Sequence, residues 1–210
     1  MSASELLAVF DETGRRVGTK ARADVHRDHD WHWLVFVWSA FLDSCGQARA
    51  LFQVRARPGD PHRGSLDAPA AGHVTACETH LGGALREFRE EVGMELQEQD
   101  LVYLGQRRLE NTAGPCYRVI EHLYWCRRPV DLAEVSCGEE AGGFVEVGLE
   151  DFLDLLEGRK ERVAGLGRFA DQPDEVRESE ITAAVLASYS EAIRDSFRES
   201  MGQIRDALSG

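Results

Sequence analysis

The chain alternates apolar runs with short polar breaks, and the spacing of those runs predicts most of its elements. Leu6–Asp11 and Arg16–Ala21 flank the turn Glu12-Thr13-Gly14 and read as a hairpin. A polar stretch rich in histidine and aspartate, Asp24-Val25-His26-Arg27-Asp28-His29-Asp30, leads into Trp31–Leu42, an aromatic and β-branched strand. Asp43-Ser44-Cys45-Gly46 turns it into a second core strand, Arg49–Arg55, followed by a Pro/Gly-rich loop from Pro58 to Pro69. A helix is expected over His80–Val92, with Gly93 as its C-cap. Leu101–Gln106, Tyr117–Arg127 and Phe144–Val147 read as further strands, and Glu150–Leu156 as a short helix stopped by Gly158. From Ile181 onward, Val185, Tyr189, Ile193, Phe197, Met201, Ile204 and Leu208 follow in steps of three and four. That stripe predicts one long amphipathic helix with Pro173 near its start. It is expected to pack either on its own domain or against a second copy in a homodimer.

Strands and helices in this order predict an α+β fold, an α/β/α sandwich with a mixed sheet and a C-terminal helical extension. A length of 210 residues suits one domain over residues 1–160, with 161–210 as a linker and the long helix. The 43% of hydrophobic residues supplies a real core. A net charge of −13 argues against nucleic-acid polymers and anionic membranes as partners, both of which select cationic surfaces. It leaves room for an anionic small molecule where a divalent cation inverts the local field. The longest apolar stretch, near Trp33–Leu42, is too short to span a bilayer, and Met1–Glu5 lacks the features of an export signal. Five cysteines without a CxxC pair give no zinc-cluster pattern and fit a reducing, cytoplasmic setting.

Chemistry concentrates between Gly72 and Met94. Glu87, Glu90 and Glu91 stand at i, i+3 and i+4 on the expected helix, so the three carboxylates share a face. Like charges that close destabilise a helix unless a cation compensates, and Mg2+ with phosphate ligands is the usual hard-oxygen case. Glu78 stands where it can pair with and orient Arg86, and Gly72 allows close backbone approach and offers a carbonyl to a metal. Leu81, Ala84, Leu85, Phe88 and Val92 are assigned to the opposite side, against the core. On helical spacing alone, a solvated acidic face is the competing reading.

The full spacing favours the metal. Gly72, Glu78, Arg86, Glu87, Glu90, Glu91 and Gly93, with Phe88 and Met94 at apolar positions, resemble the Nudix box, Gly-x5-Glu-x7-Arg-Glu-U-x-Glu-Glu-x-Gly-U with U apolar. The resemblance implies the Nudix α/β/α sandwich over roughly residues 5 to 158, and Mg2+-dependent hydrolysis of a diphosphate linkage by metal-activated water, with Mn2+ as a substitute ion. The substrate it implies is a small molecule, first among them a nucleoside diphosphate derivative. Glu90 and Glu91 become the principal metal ligands, helped by Glu87 and the Gly72 carbonyl, while Arg86 and Glu78 hold Glu87. The general base is Glu87, or else Glu139 or Glu140 ahead of the last strand.

The N-terminal half is similar to a branch of this family related to isopentenyl-diphosphate isomerase. The similarity rests on Phe10–Gly14, Asp24–His32 and Ala70-Ala71-Gly72-His73-Val74. That isomerase has a catalytic cysteine at the position of Ala71, so isomerisation is disfavoured here and diphosphate hydrolysis is preferred. His26, His32 and His73, with Glu121 as a weaker fourth member, form either a second metal site, a set of substrate contacts or a hydrogen-bonded polar corner. Arg55 and Arg57 are candidate phosphate contacts or ordinary solvated arginines. A third alternative is a non-catalytic nucleotide-sensing domain that signals through the C-terminal helix. Substrate recognition is expected in His62–Pro69 and Leu109–Pro115, where no residue can be tied to a base.

Overall fold

The computed structural model describes residues 5–111, 117–136 and 141–210. Strands β1 (Leu6–Phe10) and β2 (Arg16–Ala21) form the N-terminal hairpin. The Asp11 carboxylate organises its turn by accepting from the Thr13 and Arg15 amides at 2.9 and 3.0 Å. The polar stretch after it is helical. It winds into α1 (Arg22–Asp28), which buries only Val25 and ends on His29 in the left-handed region at φ 56°. One buried residue on seven explains why apolar periodicity did not reveal this helix.

A mixed sheet forms the centre of the molecule. Its strands are β3 (His32–Leu42), β4 (Ala48–Arg55), β5 (Leu66–Asp67), β6 (Ala70–His73), β7 (Leu101–Asn111), β8 (Tyr117–Cys126), β9 (Ala141–Gly148), β10 (Arg162–Phe169) and β11 (Gln172–Thr182). The order is β11-β10-β9-β4-β3-β8-β7, with β5 paired to β4 and β6 to β3. Among the described pairs only β3 and β8 run parallel, in register from His32 opposite Val119 to Ser39 opposite Cys126. Alternation along β3 sends Val35 and Val37 to one face and Trp38 and Ala40 to the other. The first face is covered by α2 (His80–Val92) through Ala84, Phe88 and Val92. The second is covered by α3 (Leu149–Leu156) and α4 (Glu191–Ser209). These layers give the helix–sheet–helix sandwich of an α+β fold.

The C-terminal segment departs from its expected form. Residues read as a linker and the first turns of the long helix are instead the β10–β11 hairpin, which extends the central sheet, and a 3₁₀ turn over Ala183–Leu186. Pro173 lies in β11, not in a helix. The α-helix begins at Glu191, where the Ser190 hydroxyl accepts from the Ile193 amide at 3.4 Å. The apolar stripe itself is real: Phe197, Met201 and Ile204 are buried against the chain's own core, and Phe197 stands edge-on to Trp38 at 4.9 Å. Burial of side chains this size contributes roughly 1.5–3 kcal/mol each. Among the described residues no helix is long and apolar enough to cross a membrane.

Candidate metal and diphosphate site

Helix α2 places the acids. Thr79 caps its start by accepting from the Gly82 amide at 3.0 Å, and Gly93 ends it at φ 84°, the left-handed conformation a C-cap glycine supplies. The acids do not lie opposite the apolar side, as the spacing argument placed them. Glu91 follows Ala84 by seven residues, two turns of helix, and so stands almost in line with it. Glu87 is itself buried beside Phe88, only 9% exposed. The acidic face therefore borders the core, and this brings it against β6. The Ala71 amide donates to Glu91 at 3.0 Å, and the buried Gln53 amide reaches the same carboxylate at 3.4 Å.

Arg86 ties the box together. Its guanidinium grips Glu78 with two bonds of 2.7 and 3.1 Å and donates to the His73 carbonyl at 2.8 Å. One of its nitrogens also reaches Glu87 at 2.7 Å and Glu90 at 3.1 Å. Gly72 leaves the space in which Glu87 sits, since a Cβ there would lie 2.1 Å from the Glu87 carboxylate. Burial raises the pKa of Glu87 and Arg86 only partly offsets it, so the group combines high proton affinity with a fixed position. Burial also acts upward on Glu78, but the bonds from Arg86 and the Thr75 amide outweigh it and hold that carboxyl below its ordinary value.

The acids open onto a cleft of about 250 Å³ that Glu87, Glu91, Gly72 and Gln53 share with Arg22, Arg55 and Arg57. Hard carboxylate oxygens beside arginines suit a divalent cation and a diphosphate. Glu90 does not line this cleft; its carboxylate is exposed and shares one Arg86 nitrogen with Glu87. Arg55 is not an ordinary solvated arginine. It pairs with Asp60 at 2.6 Å and Asp67 at 2.5 Å, which commits its charge to the cleft wall. Gln53 and Asp67 escaped sequence reading, although each is a polar residue inside an apolar run, Leu51–Val54 and Leu66–Ala68, and that was their signal. Glu139 and Glu140 lie outside the described residues, as does most of the Leu109–Pro115 segment.

Beside the cleft, α1, β3 and β6 bring His26, His32 and His73 together. Among the described residues these three form the group of metal-type side chains whose ligand atoms all fall within 4.8 Å. His26 and His73 face each other Nε2 to Nε2 at 2.9 Å, while His32 Nδ1 meets the Asp30 carbonyl at 2.9 Å, which directs its Nε2 inward. Burial lowers the pKa of all three, that of His73 to about 2, and keeps the imidazoles neutral as ligation demands. Glu121 is not a fourth member. Its carboxylate is buried and paired with Arg107 at 2.5 Å.

A helix-borne carboxylate cluster at the edge of an α/β/α sandwich, braced by one arginine, opens on a cleft lined by both acids and arginines. The NUDIX domain model matches residues 34–166, and the chain belongs to the Nudix family. It is similar to Nudix hydrolase 3 of Arabidopsis thaliana, 39% identical over 95 residues, which is 45% of this chain and 12% of the plant protein. It is also similar to an uncharacterized Nudix hydrolase of Clostridium acetobutylicum, 25% identical over 170 residues, 80% of this chain and 82% of that one. The chain thus spans only a small part of the plant relative and most of the bacterial one. Among solved structures, DR0079 from Deinococcus radiodurans shares the fold with a TM-score of 0.55 at 20% identity, covering 73% of this chain and 90% of that one.

Proposed function

We propose that the chain hydrolyses a diphosphate linkage in a small molecule, with a nucleoside diphosphate derivative as the first substrate to test. The observation that supports this most is the Arg86 network, which holds Glu87 in the space left by Gly72 at the edge of a cleft rich in arginine. Glu87, Glu90, Glu91 and the Gly72 carbonyl would hold Mg2+, or Mn2+ in its place; such an ion lowers the pKa of water and neutralises charge on the diphosphate. The chain's own residues do the rest. Glu87, held by Arg86 in the space left by Gly72, would take the proton from the attacking water. Arg86 and Glu78 orient it, Gln53 and the Ala71 amide fix Glu91, and Arg57 and Arg22, the latter paired with Glu5, line the same cleft and would meet the phosphoryl oxygens.

The experiment is a Mg2+-dependent screen of diphosphate compounds with wild type and Glu90→Gln. Turnover by wild type that falls at least about 100-fold in the variant supports the reading. Binding without turnover would instead favour the nucleotide-sensing alternative.

A second reading follows from the histidine cluster, which supports the likeness to the isomerase branch and a second, softer metal at His26, His32 and His73. The isomerase reaction itself finds no thiol: Ala71 lines the cleft, and among the described residues no cysteine lines it or the cavity beside it. NMR of isopentenyl diphosphate incubated with the protein is expected to show no dimethylallyl product.

A further inference from the structure

A second cavity, of about 300 Å³, adjoins the acidic cleft and shares Leu34, Phe36, Arg55, Asp67 and His73 with it. A ligand whose diphosphate lies in the cleft therefore has one continuous path for its substituent. The floor of this cavity is Leu34 and Phe36 of β3 with Val119 of β8, all on one sheet face by the parallel register. Its far wall is Tyr189, Ile193 and Phe197, supplied by the start of α4 and the turn before it. Arg107 and Arg55 on its wall are paired with Glu121 and Asp67, and His26, His32 and His73 also line it; Leu34, Phe36, Leu109, Val119, Ile193 and Phe197 supply its apolar surface.

The wall is anchored to the cleft. The Tyr189 hydroxyl donates to Asp67 at 3.3 Å, Tyr189 stacks on His62 at 4.7 Å, and Ser188 meets both Ser65 and His62 at 2.7 and 3.0 Å. Phe197 locks the next turn onto Trp38. Tyr189 and Phe197 are almost fully buried, whereas Ile193, which lines the cavity with them, is only half-buried. This wall lies beyond residue 166, outside the part of the chain that the family model matches.

We propose that Tyr189–Phe197 is a selectivity wall: it favours diphosphates that carry a compact apolar substituent, and Ile193 sets the depth available to that group. This rests on the reading of the cleft as the diphosphate site. Each methylene buried there is worth about fourfold in affinity.

The test measures binding by calorimetry, with Mg2+, of the methyl and hexyl monoesters of methylenebisphosphonate, which resist hydrolysis. Wild type is expected to bind the hexyl ester at least tenfold more tightly. Ile193→Trp, which fills the cavity, should bring that ratio below threefold. Ile193→Ala, which only removes atoms, should keep the ratio and move the preference to an octyl ester; thermal melts verify that both variants fold. Equal affinity for the two esters in wild type, or a ratio unchanged in Ile193→Trp, overturns the proposal. Turnover of the corresponding diphosphate esters is scored separately. Its absence with the affinity ratio intact would sink the hydrolase reading and support the selectivity wall.

Discussion

Replacing Gly72 with alanine tests the site where its geometry is tightest. Gly72 lies in β6 with an ordinary strand backbone, so alanine meets no conformational strain; the obstacle is the Glu87 carboxylate, whose nearest atoms would stand 2.1, 2.2 and 2.5 Å from the new Cβ. Ordinary contact begins near 3.4 Å, so that carboxylate must retreat by about 1.3 Å. Overpacking of this kind costs about 1–3 kcal/mol. Loosening the bond between Arg86 and Glu87 removes part of a charge-assisted hydrogen bond worth about 1.5–3 kcal/mol. A combined loss of roughly 2–4 kcal/mol lowers Tm by roughly 4–16 °C for a chain of this length. Misplacing Glu87 by that distance should also cost about 100-fold in kcat/KM on any diphosphate the protein hydrolyses. The decisive measurement is urea denaturation of the double-mutant cycle with Glu87→Ala. With the carboxylate gone the clash is gone, and Gly72→Ala becomes neutral or stabilising by about 0.4–1 kcal/mol through the unfolded chain. An equal cost of Gly72→Ala in both backgrounds would refute the reasoning and leave the glycine serving something other than Glu87.

Three further perturbations probe the surrounding structure. His26, His32 and His73 all have depressed pKa values in the folded state, so the unfolded chain binds protons that the folded chain refuses. Stability should therefore fall as pH drops below about 6.5, by up to about 1.4 kcal/mol per unit for each proton refused by the enclosed His32 and His73, and by less for the exposed His26. Urea titrations between pH 5 and 7 should show a flatter slope for His73→Asn, and an unchanged slope would remove the histidines as its cause. Added Co2+ should bind the full chain with the visible absorption of imidazole coordination, resist excess Mg2+ and lose its site in His32→Ala; binding indifferent to that change would place the ion elsewhere. Phe197→Ala should cost about 3–5 kcal/mol, because the ring is buried against Trp38. A loss under 1 kcal/mol in chemical denaturation would mean that α4 is not part of the core.

What could be read in the sequence divides along physical lines. The Gly72–Met94 segment was legible because its chemistry is local: helical spacing alone puts three acids on one side, and Arg86 stands one residue before the first of them. What spacing could not show is that this side borders the core, since the burial of Glu87 depends on where β6 runs beside α2. The histidine cluster was nameable but not decidable, because its members come from α1, β3 and β6 and only the fold brings them within 4.8 Å. Separating Glu121 from them needed its partner Arg107, on the neighbouring strand β7.

The β10–β11 hairpin was hidden for a different reason. Strand β11 is an edge strand of charged residues with Pro173 near its start, and only Ile181 is buried in it, so it carries no alternation to read. Charge and proline on an edge are what protect a sheet from pairing with another chain, and the same choice erases the strand's hydrophobic signature. With no strand signal before it, the stripe from Val185 to Leu208 reads as continuing backward toward Pro173. The consequence reaches the site. Once the chain returns across the sheet through this hairpin, the turn before α4 arrives over β5, where Tyr189 meets Asp67 beside the acidic cleft. A helix running unbroken from Pro173 would have no such turn. The feature least visible in the sequence thus positions the part of the C-terminal segment that lines the cavity beside the cleft.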